Sequence, residues 1–284
     1  MLIDDLRKIA DEGRSANKPL EYIKIEIKEA LILRALDFIY NSPDYKDLIF
    51  TGGTALKIIA QTNRLSEDLD MDYAGRDIDL QKLADSLVLY FKNYGFAGLQ
   101  YAICAENKIL VIKFPVLVKL GLASDLKSES NLLYLKIELE KNKYKSYQLG
   151  ASPVMRDNMF FVVKHYDLPT LFANKIGAIL GRRGKIFYDK YDFKGRDFYD
   201  LIWFLENKIK PNLQRTKEIL KKEQNITIKN YDDIWRLLQD RIVKINRNGI
   251  YEDIKNLIMS GESIKTLSKN YLEIYKSLIE KNLQ

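Results

Sequence analysis

Residues 51–73 read TGGTALKIIAQTNRLSEDLDMDY. A glycine pair, Gly52–Gly53, follows a short apolar run, LIFT (48–51). It precedes a stretch with helical character, TALKIIAQT (54–62), opening on Thr54, a good N-cap residue. Then EDLDMDY (67–73) alternates charged and apolar residues, the pattern of a half-buried strand. Side chains at i, i+2 and i+4 of a strand share a face. Asp68, Asp70 and Asp72 therefore point one way, and Leu69, Met71 and Tyr73 the other.

Carboxylates this close repel unless a cation lies between them or one takes up a proton. A divalent metal is one answer, since Mg²⁺ prefers carboxylate oxygens and keeps contacts to phosphate and water. Two such ions ~3.5–4 Å apart can clamp both oxygens of a phosphoryl displacement. A solvated strand face that is merely acidic is the other answer. The glycine pair favours the first. A turn between strand and helix aims backbone N–H groups and a helix N-terminus at an anion, and Thr54 adds a hydroxyl.

Outward from this stretch the pattern is α+β. Residues 2–12 and 20–40 read as helices, the second with an apolar stripe of Ile23, Ile27, Leu31, Ala35, Phe38 and Ile39. A helix is expected over 77–95, with Asp77 as its cap and Gly95 as its stop. Paired strands are expected at 99–106 and 108–116, a loop over 119–130, and further strands at 132–141 and 160–166. In 132–141, Leu133, Leu135, Ile137 and Leu139 share one face, and Tyr134, Lys136, Glu138 and Glu140 the other. From about residue 168 the pattern is helical: 168–183 with Pro169 in the first turn, then 195–208, 212–223, 231–246 and 251–281, the last broken near Gly261.

The spacing Gly52-Gly53-Thr54, Arg64, Ser66, Asp68, Leu69, Asp70 resembles the first motif of the DNA polymerase β-type nucleotidyltransferase superfamily. It is most similar to the AbiEii/AbiGii toxin branch, which includes the MenT-type toxins and carries GGTAL followed by R-x-S-x-D-x-D. The resemblance implies a polymerase β-like mixed sheet with flanking helices and a helical C-terminal part. It implies that Asp68 and Asp70 hold Mg²⁺ or Mn²⁺, and that Gly52, Gly53, Thr54, Arg64 and Ser66 bind the nucleotide. Asp72 lies outside the motif. A third acid from a neighbouring strand is also implied. KIELE offers Glu138 and Glu140, and the family's K-I-E strand favours Glu138, as metal ligand and as base for the acceptor hydroxyl. A charged outer face pairing with nearby lysines is the alternative.

The second dense stretch is LPTLFANKIGAILGRR followed by KGRDFYDL. It resembles the same family's A-N-K helix and R-D-x-Y-D-L segment. By position Lys175 would contact nucleotide phosphates, Asp197 would orient that lysine or the nucleotide, and Arg182 or Arg183 would add phosphate contacts. Asp200 reads as structural. Residues 184–193, GKIFYDKYDF, are an insertion relative to the family, either a surface for RNA stacking or a packed excursion. His165, the chain's single histidine, reads as a packed structural residue.

The composition sets outer limits. A chain of 284 residues can build one large core or two modest ones. No apolar run approaches the ~20 residues of a membrane span. The N-terminal MLIDDLRKIADEG lacks the basic and apolar regions of a signal peptide, so a cytoplasmic protein with no membrane partner is expected. Cys104 stands alone, which leaves no intramolecular disulfide and no cysteine cluster for zinc. Walker A, Gly-x-Ser-x-Gly and dinucleotide fingerprints are absent. The formal net charge of +7 suits a polyanion such as RNA, and equally a lysine-rich composition with no binding role.

The organisation expected is a nucleotidyltransferase-like domain over 1–165 and a helical domain over 166–284 that contributes Lys175 and Asp197. The function implied by the resemblance is metal-dependent transfer of NMP from an NTP to an acceptor hydroxyl. The acceptor would be tRNA or another RNA, and the protein the toxin of a type IV-like toxin–antitoxin or phage-defence system with a cognate antitoxin. The alternatives are a non-catalytic nucleic-acid- or partner-binding protein with the same fold, and a small-molecule nucleotidyltransferase.

Overall fold

The computed structural model describes residues 2–124, 129–156, 158–181 and 193–283. The chain divides into two compact units, Met1–Asn142 with Gly150–His165, and Lys143–Leu149 with Tyr166–Gln284.

The first unit contains α1 (Leu2–Ser15), α2 (Leu20–Asn41), β1 (Ile49–Thr51), α3 (Gly52–Ile59), β2 (Asp68–Tyr73) and α4 (Leu80–Asn93). It continues with β3 (Gln100–Cys104), β4 (Ile109–Pro115), a 3₁₀ turn (Glu129–Asn131), β5 (Leu132–Lys141), β6 (Leu149–Arg156) and β7 (Met159–Tyr166). The strands form a seven-stranded mixed sheet in the order β3-β4-β5-β2-β1-β7-β6. β2 runs antiparallel to β1 and parallel to β5, and β1 runs parallel to β7.

Alternation explains which face is covered. Leu69 and Met71 of β2 are buried with Leu133, Leu135, Ile137 and Leu139 of β5 and Leu110, Ile112 and Phe114 of β4. The same core takes in Ile27, Leu31, Ala35 and Ile39 of α2 and Leu83, Leu87 and Phe91 of α4. Each buried Leu, Ile, Met or Phe side chain among these contributes roughly 1.5–3 kcal/mol. The period-2 charges of β2 and β5 are thereby left on the opposite face. Phe91, Phe96 and Phe114 pack edge to face with centroids 4.9–6.0 Å apart. The Tyr40 hydroxyl donates to the Lys164 carbonyl at 2.8 Å, tying α2 to β7.

The second unit is helical: α5 (Leu168–Gly181), α6 (Gly195–Glu206), α7 (Leu213–Gln224), α8 (Tyr231–Lys244), α9 (Arg247–Ile254) and α10 (Gly261–Leu283). α5 packs against α6, α7 and α8. Phe172 of α5 stacks on Phe204 of α6 at 4.4 Å. Gly177 lets Ile219 approach, since a Cβ there would lie 2.5 Å from the isoleucine methyl.

The α+β expectation holds, with four local corrections. Helix α3 begins at Gly52, after Thr51, and Thr54 does not cap it. The Thr54 hydroxyl is spent on Ser66 and on the Asp68 carbonyl. Asp79, not Asp77, caps α4: its carboxylate accepts from the Lys82 amide at 3.1 Å, whereas Asp77 pairs with Lys141 at 2.8 Å. The break expected near Gly261 is present, with α10 starting there, but α9 starts at Arg247 rather than at 251, because Asn246 caps it by accepting from the Asn248 amide at 3.0 Å. Strand β6 carries no clear strand pattern in the sequence, because Gly150 and Pro153 interrupt it. Proline cannot donate to a ladder, and β6 is an edge strand, where that is tolerated.

The capping geometry gives a direct test. Asp79→Ala should cost about 1 kcal/mol of stability in chemical denaturation, while Asp77→Ala, on an exposed ion pair, should leave the midpoint essentially unchanged.

Candidate active site

The site expected on the first unit starts where β1 ends. Thr51 lies opposite Asp70 in the β1–β2 ladder. The next residue, Gly52, has φ +76°, which turns the strand directly into α3. A Cβ at Gly52 would stand 1.9 Å from Asp70 Oδ2 and 2.7 Å from its Cγ. The Asp70 carboxylate thus lies against the first turn of α3, where the helix dipole favours negative charge. The glycine and the aspartate are one packed unit, although eighteen residues separate them.

Gly53 faces the intervening loop. A Cβ there would be 2.5 Å from Arg64 Nη2 and 3.1 Å from Ser66 Oγ. Arg64 is only 1% exposed and donates from Nη1 to the Leu65 carbonyl at 3.0 Å. Thr54, also 1% exposed, hydrogen-bonds to Ser66 Oγ at 2.9 Å and donates to the Asp68 carbonyl. Glu29 of α2 accepts from the Ser66 amide at 3.0 Å. Burial pushes the Glu29 carboxyl up, against the lowering pull of that amide, Lys57 and Arg156. Thr54, Arg64 and Ser66 are therefore brought together, buried behind the Gly52–Asp70 contact. Glu29 was missed by the sequence reading; it is one of four acids on α2, with Glu21, Glu26 and Asp37, and nothing in the sequence singles it out.

The register of β2 against β5 places Asp68 opposite Lys136, Asp70 opposite Glu138 and Asp72 opposite Glu140. Partners in a ladder share a face, so Glu138, the preferred third acid, stands beside Asp70. Lys136 Nζ donates to the Glu138 carboxylate. Partial burial pulls the Lys136 ammonium down, but its bond to Glu138 and the charges of Asp68 and Asp70 outweigh this and raise it above an ordinary lysine. Among the described residues no three His, Cys, Asp or Glu side chains form a group that could hold a metal. The chemistry of Asp68 and Asp70 nonetheless fits a hard divalent ion, since both offer carboxylate oxygens from one strand face.

The second unit holds its own cluster. Lys175 Nζ lies 2.9 Å from Asp197 Oδ1 and 2.8 Å from Asp200 Oδ2. The lysine side chain is 12% exposed, and both aspartates are buried. Asp197 and Asp200 are three apart on α6 and so reach the same neighbour. Asp200, expected to be structural, is thus a direct partner of Lys175; its i, i+3 spacing from Asp197 was the available signal. Asn174 accepts from Arg215 Nε at 2.9 Å. The Arg215 guanidinium lies 4.4 Å from the Tyr144 ring and 5.2 Å from the Tyr166 ring. Arg182, Arg183 and most of the 184–193 insertion lie outside the described residues; Phe193, at its end, is buried edge to face on Phe198. His165 Nε2 shares a hydrogen bond of 2.9 Å with Ser152 Oγ and packs over Gly150, a structural placement.

A mixed sheet carrying a Gly-Gly turn against a strand of paired aspartates agrees with the arrangement that the resemblance of the sequence implies. The sequence matches the family described as nucleotidyl transferase AbiEii toxin, type IV toxin–antitoxin system, over residues 34–270, and the chain belongs to that family. Membership makes it a nucleotidyltransferase of a toxin–antitoxin family, which implies an NTP substrate and an antitoxin counterpart. Two crystal structures from Helicobacter pylori are similar in outline. One, of a candidate nucleotidyltransferase, is 16% identical with a TM-score of 0.48, covering 90% of this chain and 94% of that one. The other, JHP933, is 15% identical with a TM-score of 0.48, covering 91% and 93%. No curated protein sequence matches. Among the described residues no helix is long and apolar enough to cross a membrane.

Two stability measurements probe these clusters. Gly52→Ala forces a side chain into the Asp70 carboxylate at a positive φ and should lower stability by about 1–3 kcal/mol, with nucleotide transfer lost. Lys175→Met leaves two buried carboxylates without their shared cation and should cost about 3–5 kcal/mol in a denaturant titration. An unchanged midpoint in either variant would contradict the packing described.

Proposed function

We propose that the protein transfers a nucleoside monophosphate from an NTP to the hydroxyl of an RNA acceptor, tRNA being the first to test, in a reaction dependent on Mg²⁺ or Mn²⁺. The single observation carrying this reading is the Gly52–Asp70 contact. It puts the helix N-terminus that can receive phosphate and the acid pair that can receive a cation in one place.

In this reading Asp68 and Asp70 hold the ion, which when bound supplies charge stabilisation to phosphoryl oxygens. The Gly52 and Gly53 amides at the start of α3 take the nucleotide's phosphates. Thr54, Arg64 and Ser66 act from behind, fixing the loop that sets the glycine turn and the first aspartate. Glu138, beside Asp70, takes the proton of the acceptor hydroxyl, for which it has to give up its bond to Lys136. Lys175 is assigned to phosphate contact on the strength of the motif alone, with Asp197 and Asp200 fixing its ammonium. The net positive charge supports an RNA acceptor, with transfer that falls as salt rises. Transfer to such an acceptor would silence translation, the action of a toxin in a toxin–antitoxin or phage-defence pair.

The test is incorporation of each labelled NTP into tRNA, total RNA and protein by the purified chain, with and without Mg²⁺ or Mn²⁺. RNA labelling that needs the ion is expected. Asp70→Asn should reduce it to background with circular dichroism unchanged, and Glu138→Gln should slow it on the order of 100-fold or more. No transfer to any acceptor with any of the four NTPs would overturn the reading.

A further inference from the structure

The face that carries Asp68, Asp70 and Glu138 also carries a cation of its own. Strand pairing fixes Lys136 directly across from Asp68, and Glu138, two residues on, directly across from Asp70. Acids directly opposite each other in a ladder are destabilising, and Asp70/Glu138 and Asp72/Glu140 are both such pairs. Lys136 is half-buried and donates to Glu138. Other lysines of this unit near the acids are engaged elsewhere. Lys141 pairs with Asp77 at 2.8 Å, Lys28 with Glu67 at 3.6 Å, and Lys57 donates to the Thr62 carbonyl at 3.2 Å.

We propose that Lys136 is an internal counter-cation of this acidic face: it holds Glu138 in the metal-free protein, and a divalent ion binding at Asp68 and Asp70 has to displace it. The inference rests on the metal-dependent reading above and adds a positioning residue to it. Lys136 keeps the acids folded together before the ion arrives. The ion and the ammonium then compete for the same negative charge. Because the ammonium holds Glu138 and repels a second cation on the same face, the lysine weakens ion binding while stabilising the empty site. It also withholds Glu138 from proton transfer until the ion is in place.

The consequence is a pair of effects of opposite sign. Lys136→Met should melt at lower temperature than wild type in EDTA, and should bind Mn²⁺ about fivefold more tightly by calorimetry, the scale of one partly exposed ion pair. The rise in melting temperature on saturation with Mn²⁺ should be larger than for wild type. Lys136→Arg, which keeps the charge, should lie nearer wild type on both measures. Equal or weaker Mn²⁺ binding by Lys136→Met would overturn the inference while leaving the metal site standing. Binding by Lys136→Arg as tight as by Lys136→Met would overturn it as well, because charge would then not be the cause. No Mn²⁺ uptake by wild type or either variant would overturn both the inference and the metal-dependent reading. Should Lys136→Met not fold in EDTA, recovery of its native circular dichroism on adding Mn²⁺ would support the inference, and no recovery would overturn it.

Discussion

The first unit depends on a missing side chain. At position 52 the chain must leave a strand, reverse into a helix at positive φ and let a carboxylate come within bonding distance of where a Cβ would be. Only glycine meets all three demands. This contact sets where α3 starts relative to β2, and so where the helix N-terminus faces the acid pair. Behind it, Gly53 admits Arg64 and Ser66, whose partners run through Thr54 to the Asp68 backbone and through Glu29 to α2. The motif residues between the glycines and the aspartates therefore need not all touch a nucleotide to be required. Buried polar groups of this kind are costly unless satisfied, and here they satisfy one another.

The sheet's two faces follow from one rule applied twice. Alternation in β2 and β5 sends Leu69, Met71, Leu135 and Ile137 into the core, and the same parity leaves Asp68, Asp70, Lys136 and Glu138 together. Parallel pairing then decides which acid meets which. A slip of one residue would turn every charge into the core, so the apolar packing of α2 and α4 against the sheet is what holds the acids in register.

Much of this was legible in the sequence. The strands 67–73 and 132–141 and the helices at 20–40, 168–183 and 195–208 showed their period directly, because one face of each is strongly apolar. The glycine–aspartate spacing pointed to a shared site, since few other constraints ask for that combination. What was not legible depended on contacts distant in sequence. The choice of Asp79 over Asp77 as cap is settled by Lys141, sixty-four residues from Asp77. The burial of Arg64 follows from its fit against Gly53, and the pairing of Asp200 with Lys175 from the packing of α6 on α5. Strand β6 is not legible in the sequence because its proline and glycine are tolerated at an edge, and edge position is a property of the sheet.

Charge is where the chain average misleads most. The protein carries a formal +7, yet neither candidate cluster is cationic. On β2 and β5 the acids Asp68, Asp70, Asp72, Glu138 and Glu140 outnumber Lys136, and on the second unit Lys175 is shared between two aspartates. An NTP is itself polyanionic and would be repelled from the first cluster as it stands, whatever the rest of the surface carries. The basic excess lies elsewhere, for example on α7 with Lys217, Lys221 and Lys222 and on α10 with Lys265, Lys269 and Lys276. Such residues can concentrate an RNA near the protein through long-range attraction. They cannot neutralise carboxylates on a strand face, because interactions beyond about 8–10 Å are largely screened at physiological salt. Under the proposed function, a nucleotide at the acid pair would therefore draw on cations close by, Arg64 against Gly53 and a bound ion among them. Under the proposed function, the basic character and the acidic motif would answer separate physical demands, attraction of a large polyanion in one case and placement of a phosphate beside carboxylates in the other.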